Sequence, residues 1–109
     1  MCIFCKIIAG EIPANIEYQD DNFIVIKDIA PTAPVHLLII PKKHLSNIME
    51  IDSTLAGNLF TKIKDIAAQF GVQEKGFRLV INTGDDGGQT VGHLHIHLLG
   101  GRALSWPAG

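Results

Sequence analysis

The segment Gly92-His93-Leu94-His95-Ile96-His97-Leu98-Leu99 constrains this chain more than any other, because histidine and an apolar residue alternate in it three times. Side chains two apart on an extended strand share a face. Three imidazoles are therefore predicted to line one side of a strand, with Leu94, Ile96 and Leu98 anchoring the other. The chain holds only five histidines, so chance is a poor explanation for three at this spacing. A row of imidazoles near neutral pH supplies nucleophiles, acids or bases, or metal ligands. The pattern reads as that of an enzyme.

The remaining sequence predicts one α+β domain over residues 1–109. That length, with 47% hydrophobic residues, allows one core and not comfortably two. A short helix is expected near residues 4–9, ended by Gly10 and Pro13. Strands are expected at 15–19, 23–27, 35–41 and 77–82, besides the histidine strand. Val35-His36-Leu37-Leu38-Ile39-Ile40-Pro41 is almost continuously apolar and reads as the central one. Asp52 or Ser53 caps a long helix running to about Phe70, where Gly71 stops it. Leu55, Leu59, Ile63, Ile66, Ala67 and Phe70 give that helix one apolar face. The expectation is a mostly antiparallel sheet of about five strands with one principal helix packed on it.

Several classes are disfavoured. No run of eighteen apolar residues is present to span a bilayer, and the N-terminus lacks the segments of a signal peptide. A formal charge of −2 gives no reason to expect a nucleic-acid polymer as partner. A cytoplasmic protein is the expectation. Cys2 and Cys5 form a bare C-x-x-C, which in a reducing compartment reads as half a metal site, a redox pair or two ordinary thiols. Nothing precedes the pair that could be the strand a redox motif needs, so metal is the better reading, with histidines as the missing ligands. Gly87-Gly88-Gln89-Thr90 fits a surface hairpin or a phosphate-holding turn of glycine amides and a hydroxyl. Three histidines beside it favour phosphate.

The histidine segment resembles the signature of the histidine-triad (HIT) family, in which three histidines alternate with apolar residues and two apolar residues follow. The similarity extends along the chain through Phe4, Ile7 and Ile8, Glu11-Ile12-Pro13, Asp28-Ile29 with Pro31, and His36 with Leu38. It continues through Ile40-Pro41-Lys42-Lys43-His44, Asn82 with Gly84, Asp86-Gly87-Gly88-Gln89 and Gly100-Gly101-Arg102. These motifs resemble the nucleotide-binding, purine nucleoside phosphoramidase-like branch.

The resemblance implies a HIT-like fold and a nucleophile at His95, which would form a nucleotidyl-histidine intermediate. His97 would contact the phosphate and the bridging atom, while Thr90, Gln89 and the Gly88 amide hold developing charge. Thr90 stands where the branch usually has serine. His36 would support its neighbours, its other reading being a buried strand histidine that is merely satisfied. Asp28 would receive the ribose hydroxyls or simply cap the proline-rich turn. Phe4, Ile7, Ile12, Ile26 and Ile29 would form the slot for the base, and Asn82 would lie beside ribose and phosphate.

For the metal, the resemblance implies a structural zinc on Cys2, Cys5, His44 and His93, not required for chemistry. The alternative leaves both thiols reduced and His93 a hydrogen-bonding support. A homodimer is also implied, with the Leu104-Ser105-Trp106-Pro107 tail near the partner's site. A tail folded back on its own core is the monomeric alternative. The implied activity is hydrolysis of purine nucleoside phosphoramidates, of the adenosine monophosphate–amine or –lysine kind. Hydrolysis of dinucleoside polyphosphates or aminoacyl adenylates, and a nucleotide-binding interaction module with incidental turnover, are the alternatives.

Overall fold

The computed structural model describes residues 2–109. In chain order these form α1 (Ile3–Ile8), β1 (Ile16–Gln19), β2 (Phe23–Lys27), β3 (Val35–Pro41), a single 3-10 turn (Ile48–Glu50), α2 (Ser53–Gln69), β4 (Phe77–Val80) and β5 (Ile96–Gly100). The five strands make one sheet in the order β1-β2-β3-β5-β4, and every neighbouring pair is antiparallel. The expected α+β architecture is what forms.

Strand alternation explains why the sheet has two covered faces. Phe23 and Val25 of β2, Leu37 and Ile39 of β3, and Ile96 and Leu98 of β5 point to one side, where Leu59, Ile63, Ile66 and Ala67 of α2 meet them. Ile24, Ile26, Leu38 and Ile40 point to the other, under Phe4 and Ile7 of α1. Burial on both faces is why β3 reads as an unbroken apolar run rather than an alternating one. Of the two capping candidates, Asp52 takes the N-cap of α2 and accepts the Leu55 N–H at 2.8 Å.

Beyond shifts of a single residue in α1 and β1, two boundaries differ from expectation. β4 ends at Val80, not Asn82, and the ladder of β5 begins at Ile96, leaving His93 and His95 in the extended segment before it. The last rung joins Ile39 to Ile96. Pro41, two residues further along β3, has no N–H with which to continue the ladder. Its carbonyl instead accepts from the His93 ring at 2.8 Å, and the Leu94 N–H goes to the Leu45 carbonyl at 2.7 Å. The alternation of faces nevertheless persists, since Leu94 joins Ile96 and Leu98 in the core beneath α2.

A polar clamp ties α2 to the first hairpin. Asp20 accepts the Asn22 and Phe23 N–H groups through one oxygen, each at 2.8 Å, and the Tyr18 hydroxyl through the other at 2.8 Å. Lys62 of α2 donates to the Tyr18 oxygen at 2.8 Å, lies 4.5 Å from the centre of its ring and sits 3.5 Å from Asp20. Burial alone would raise the Asp20 pKa; the two backbone donors, Tyr18 and Lys62 outweigh it and hold the carboxyl below its ordinary 3.8. A carboxyl held low binds fewer protons folded than unfolded. Its contribution is therefore complete above pH 3.8 and is lost as pH falls through the lower folded value. Asp20→Asn is expected to lower stability by about 1–2 kcal/mol near neutral pH. Denaturant titrations of both proteins should converge below the ordinary carboxylate pKa; a gap that persists there would show that charge is not what Asp20 contributes.

Candidate functional site

The five histidines gather on the α1 side of the sheet, and backbone groups fix where most of their protons lie. His95 is the simplest case. Its Nδ1 is 2.7 Å from the His93 carbonyl, which only accepts, so Nδ1 carries the hydrogen and Nε2 keeps its lone pair. The ring is buried but not sealed, with 7% of the residue exposed. The edge-on ring of Phe4 lies 5.0 Å from it and the more open ring of His97 lies 5.2 Å away.

His97 is set through a longer chain. The Thr32 N–H donates to His36 Nδ1 at 3.1 Å, so His36 bears its proton on Nε2. That Nε2–H faces His97 Nδ1 at 3.0 Å and the Asp28 carboxylate at 3.4 Å. His97 Nδ1 is thereby an acceptor and its Nε2–H a donor. His36 and His97 meet because Leu38 pairs with His97 while His36 pairs with Leu99, a diagonal on one face. Asp28, His36 and His97 have their ligand-type atoms close enough for a metal, yet the proton pinned on His36 Nε2 makes that atom a donor rather than a ligand. This trio is a proton-ordering relay. Asp28 also accepts the Ala30 N–H at 2.8 Å, which caps the proline-rich turn.

A second cluster lies at the N-terminus. Cys2 Sγ is 3.6 Å from His44 Nδ1 and 3.3 Å from His93 Nδ1; Cys5 Sγ is 3.2 and 3.5 Å from the same atoms. The two Nδ1 atoms are 3.1 Å apart. Around zinc, with bonds of about 2.3 Å to sulfur and about 2.0 Å to nitrogen, tetrahedral corners lie roughly 3.3–3.8 Å apart. The four atoms fit such an ion. His93 donates its Nε2–H to the Pro41 carbonyl at 2.8 Å, which leaves Nδ1 with a lone pair aimed at the cluster. Cys2 caps α1 and its sulfur accepts the Cys5 N–H at 3.2 Å. The Cys5 thiol is held above its ordinary pKa by its hydrogen bond with Cys2, and by burial and charge repulsion from it. A cation between the sulfurs would relieve that repulsion.

The loop before the histidines is closed by its own hydrogen bonds. The Gly88 N–H goes to the Asp85 carbonyl at 3.0 Å and the Gln89 N–H to the Gly84 carbonyl at 3.1 Å, so both amides close turns. The Gln89 side chain donates to the Ser46 and Val91 carbonyls at 2.7 and 3.0 Å and accepts from the Gly84 N–H at 3.1 Å. Gln89 thus clamps the loop and has no free amide for an anion. Only glycine fits at 87, where a Cβ would stand 2.3 Å from the Thr83 carbonyl oxygen. Thr90 is exposed, and its hydroxyl has no hydrogen-bond partner among the described residues. Asn82 is half-buried just past β4.

Of the five residues expected at a base slot, Phe4, Ile7 and Ile26 are buried together, with Ile12 packed partly against them. Ile29 stands apart, 98% exposed on the proline-rich loop. The residues the sequence did not single out are Thr32, whose N–H orders the relay, and Pro41, whose carbonyl orders His93. Both act through backbone atoms, which leave no signature in residue type.

Comparison with known proteins places this geometry in context. The HIT-domain family model matches residues 9–104. An uncharacterized HIT-like protein of Synechococcus elongatus is 56% identical over 110 residues, covering 98% of this chain and 96% of that one. Among solved structures, a HIT family hydrolase from Legionella pneumophila superposes with a TM-score of 0.96 at 48% identity, covering all of both chains. A zinc-bound histidine triad family protein from Mycobacterium smegmatis superposes with a TM-score of 0.81 at 32% identity, covering 93% of this chain and 75% of that one.

The His97 environment carries a pH signature. Burial first, then the charges that His95 and His36 would bear, lower its pKa below 6.5 against a weaker upward pull from Asp28. Below pH 6.5 the unfolded chain therefore takes up a proton that the native ring refuses, and stability falls as pH drops through that region. Denaturation midpoints should decline between about pH 7 and about pH 5.5, and decline less steeply in His97→Gln. Equal slopes for the two proteins would show that His97 titrates normally.

Proposed function

Because this chain belongs to the HIT-domain family, we propose that it hydrolyses purine nucleoside phosphoramidates through a nucleotidyl-histidine intermediate. The observation that carries this reading is the pairing of two opposite tautomers: an Nε2 lone pair on His95 beside an Nε2–H donor on His97. Neutral imidazoles ordered this way make a nucleophile and a hydrogen-bond donor without a proton having to move first.

In the proposed reaction, His95 Nε2 forms a bond to the α-phosphorus as the phosphorus–nitrogen bond breaks. The amine nitrogen, protonated from solvent, leaves with the electron pair. His97 Nε2–H donates to the bridging atom, and the exposed Thr90 hydroxyl meets the phosphate oxygens in place of the Gly88 and Gln89 amides, which are engaged in turns. Water then attacks phosphorus, His95 departs neutral, and one proton returns to solvent. Asp28 is assigned to the ribose hydroxyls, with His36 as the supporting ring. Asn82 is placed near ribose and phosphate. The base is assigned to the apolar group of Phe4, Ile7, Ile12 and Ile26, with Ile29 covering it once a nucleotide is present. Few polar groups there discriminate adenine from guanine.

The N-terminal cluster is assigned to structural zinc, which when bound neutralises the two thiolates and ties α1 to the segment before β5. The donor set and spacing support this, as does the zinc-bound relative from Mycobacterium smegmatis. We read residues 1–109 as one domain, located in the cytoplasm where both thiols stay reduced. No helix among the described residues is long and apolar enough to cross a membrane. A homodimer is proposed from the apolar surface left open by Phe60 of α2, Phe77 of the edge strand β4 and Trp106, which is 80% exposed and so does not fold onto its own core.

A panel of adenosine and guanosine phosphoramidates, dinucleoside polyphosphates and aminoacyl adenylates tests the activity. Phosphoramidates should turn over fastest, and His95→Ala should lower that rate by about 10³-fold or more. Tight binding of nucleotide with no turnover of any member would instead identify an interaction module. For the metal, protein purified without chelators should contain about one zinc per chain, and Cys5→Ser should lose it and melt at lower temperature. A metal-free wild type under those conditions would make the cluster a pair of reduced thiols with two supporting imidazoles.

A further inference from the structure

We infer that Arg102 is a positioning residue for His97, acting through Thr32 and His36; the catalytic part of this inference rests on the function proposed above. Arg102 lies just past β5 and nothing in it touches the histidines. Its guanidinium donates twice to the Thr32 carbonyl, from Nε at 3.0 Å and Nη2 at 2.8 Å, and once from Nη1 to the Ala103 carbonyl at 3.0 Å. A forked, two-point bond to one oxygen holds that peptide in position and orientation better than a single contact.

The same residue, Thr32, supplies the N–H that His36 Nδ1 accepts. Its side chain is not used. The loop that carries it holds Pro31 and Pro34 and is exposed at both prolines, so the described contacts anchoring Thr32 itself are those from Arg102 and to His36. Gly101 brings the tail against this loop: it has φ of +87°, and a Cβ there would stand 2.9 Å from the Pro34 side chain. The close approach aims Arg102 at Thr32.

The chain of consequence is short. With Thr32 held, His36 must bear its proton on Nε2, and His97 must accept on Nδ1 and donate from Nε2. With Thr32 released, only the longer contact to Asp28 at 3.4 Å still favours the proton on His36 Nε2, so a share of the molecules carries it on Nδ1, and in these His97 turns a lone pair rather than a hydrogen toward the substrate. Arg102 sets which atom of His97 bears hydrogen from three hydrogen bonds away.

The test reads the rings directly. Nitrogen-15 imidazole spectra of the full chain at about pH 8 should show His36 and His97 each as a single Nε2–H tautomer. Arg102→Met should show both tautomers at His97 in comparable amounts, with kcat lowered about tenfold and KM changed less than about twofold. Arg102→Lys, which keeps one donor, should restore part of the wild-type spectrum. Thr32→Ala, which keeps both backbone groups, should match wild type. Wild-type ring spectra in a folded Arg102→Met overturn the inference. Altered spectra with unchanged turnover keep Arg102 as the positioner of the ring and overturn instead the role of His97 in the reaction.

Discussion

The hydrogen bond from His95 Nδ1 to the His93 carbonyl is the contact on which the proposed chemistry depends. A neutral imidazole has one donor and one acceptor nitrogen, and water does little to choose between the tautomers. A carbonyl at 2.7 Å does choose. It leaves the lone pair on the nitrogen furthest from the backbone, where an electrophile can approach. The neighbouring carbonyl of Pro41 makes the same choice for His93 in the opposite sense, leaving Nδ1 free for the cysteine cluster. The Thr32 N–H makes the third choice, which passes through His36 to His97. One family of residues thereby performs three different tasks.

Pro41 links this proton order to the fold. A strand residue with an N–H at that place could extend the β3–β5 ladder toward His93, and the backbone groups near the histidines would then face one another. Proline removes that option. The ladder closes at Ile39 and Ile96, the segment ahead of β5 leaves the sheet, and its carbonyls become partners for rings. The buried leucine at 94 keeps the departing segment attached to the core under α2. Sheet termination and the orientation of the His95 ring are two results of one missing hydrogen.

Much of this was legible in residue type. The period-two pattern at 93–99 placed the apolar set in the core and the imidazoles opposite, and the unbroken run at 35–41 identified the doubly buried strand. The spacing of Leu59, Ile63, Ile66 and Ala67 marked the buried face of α2. The resemblance to the family correctly brought Cys2, Cys5, His44 and His93 together. The loop-clamping contacts of Gln89 were not legible, because an amide beside glycines looks the same whether it meets an anion or two backbone carbonyls. Thr32 was not legible, and Arg102 was legible only as part of the Gly100-Gly101-Arg102 motif, not in its contact. Their parts are played by a peptide group and by a contact between residues 70 apart in sequence, and neither has a compositional mark.

His93 occupies two systems at once, and this couples the cysteine cluster to the ring of His95. Its ring belongs to the cysteine cluster and its carbonyl belongs to His95. A residue with 0% exposure, held at its ring by Pro41 and by the cluster, has little freedom to rotate its peptide. Whatever stiffens the cluster therefore stiffens the carbonyl that orients the His95 ring. An ion held by the four ligand atoms would do this, and the edge contact of Phe4 with the His93 ring at 5.9 Å acts in the same direction. The cluster thereby acts on His95 mechanically, through the His93 backbone.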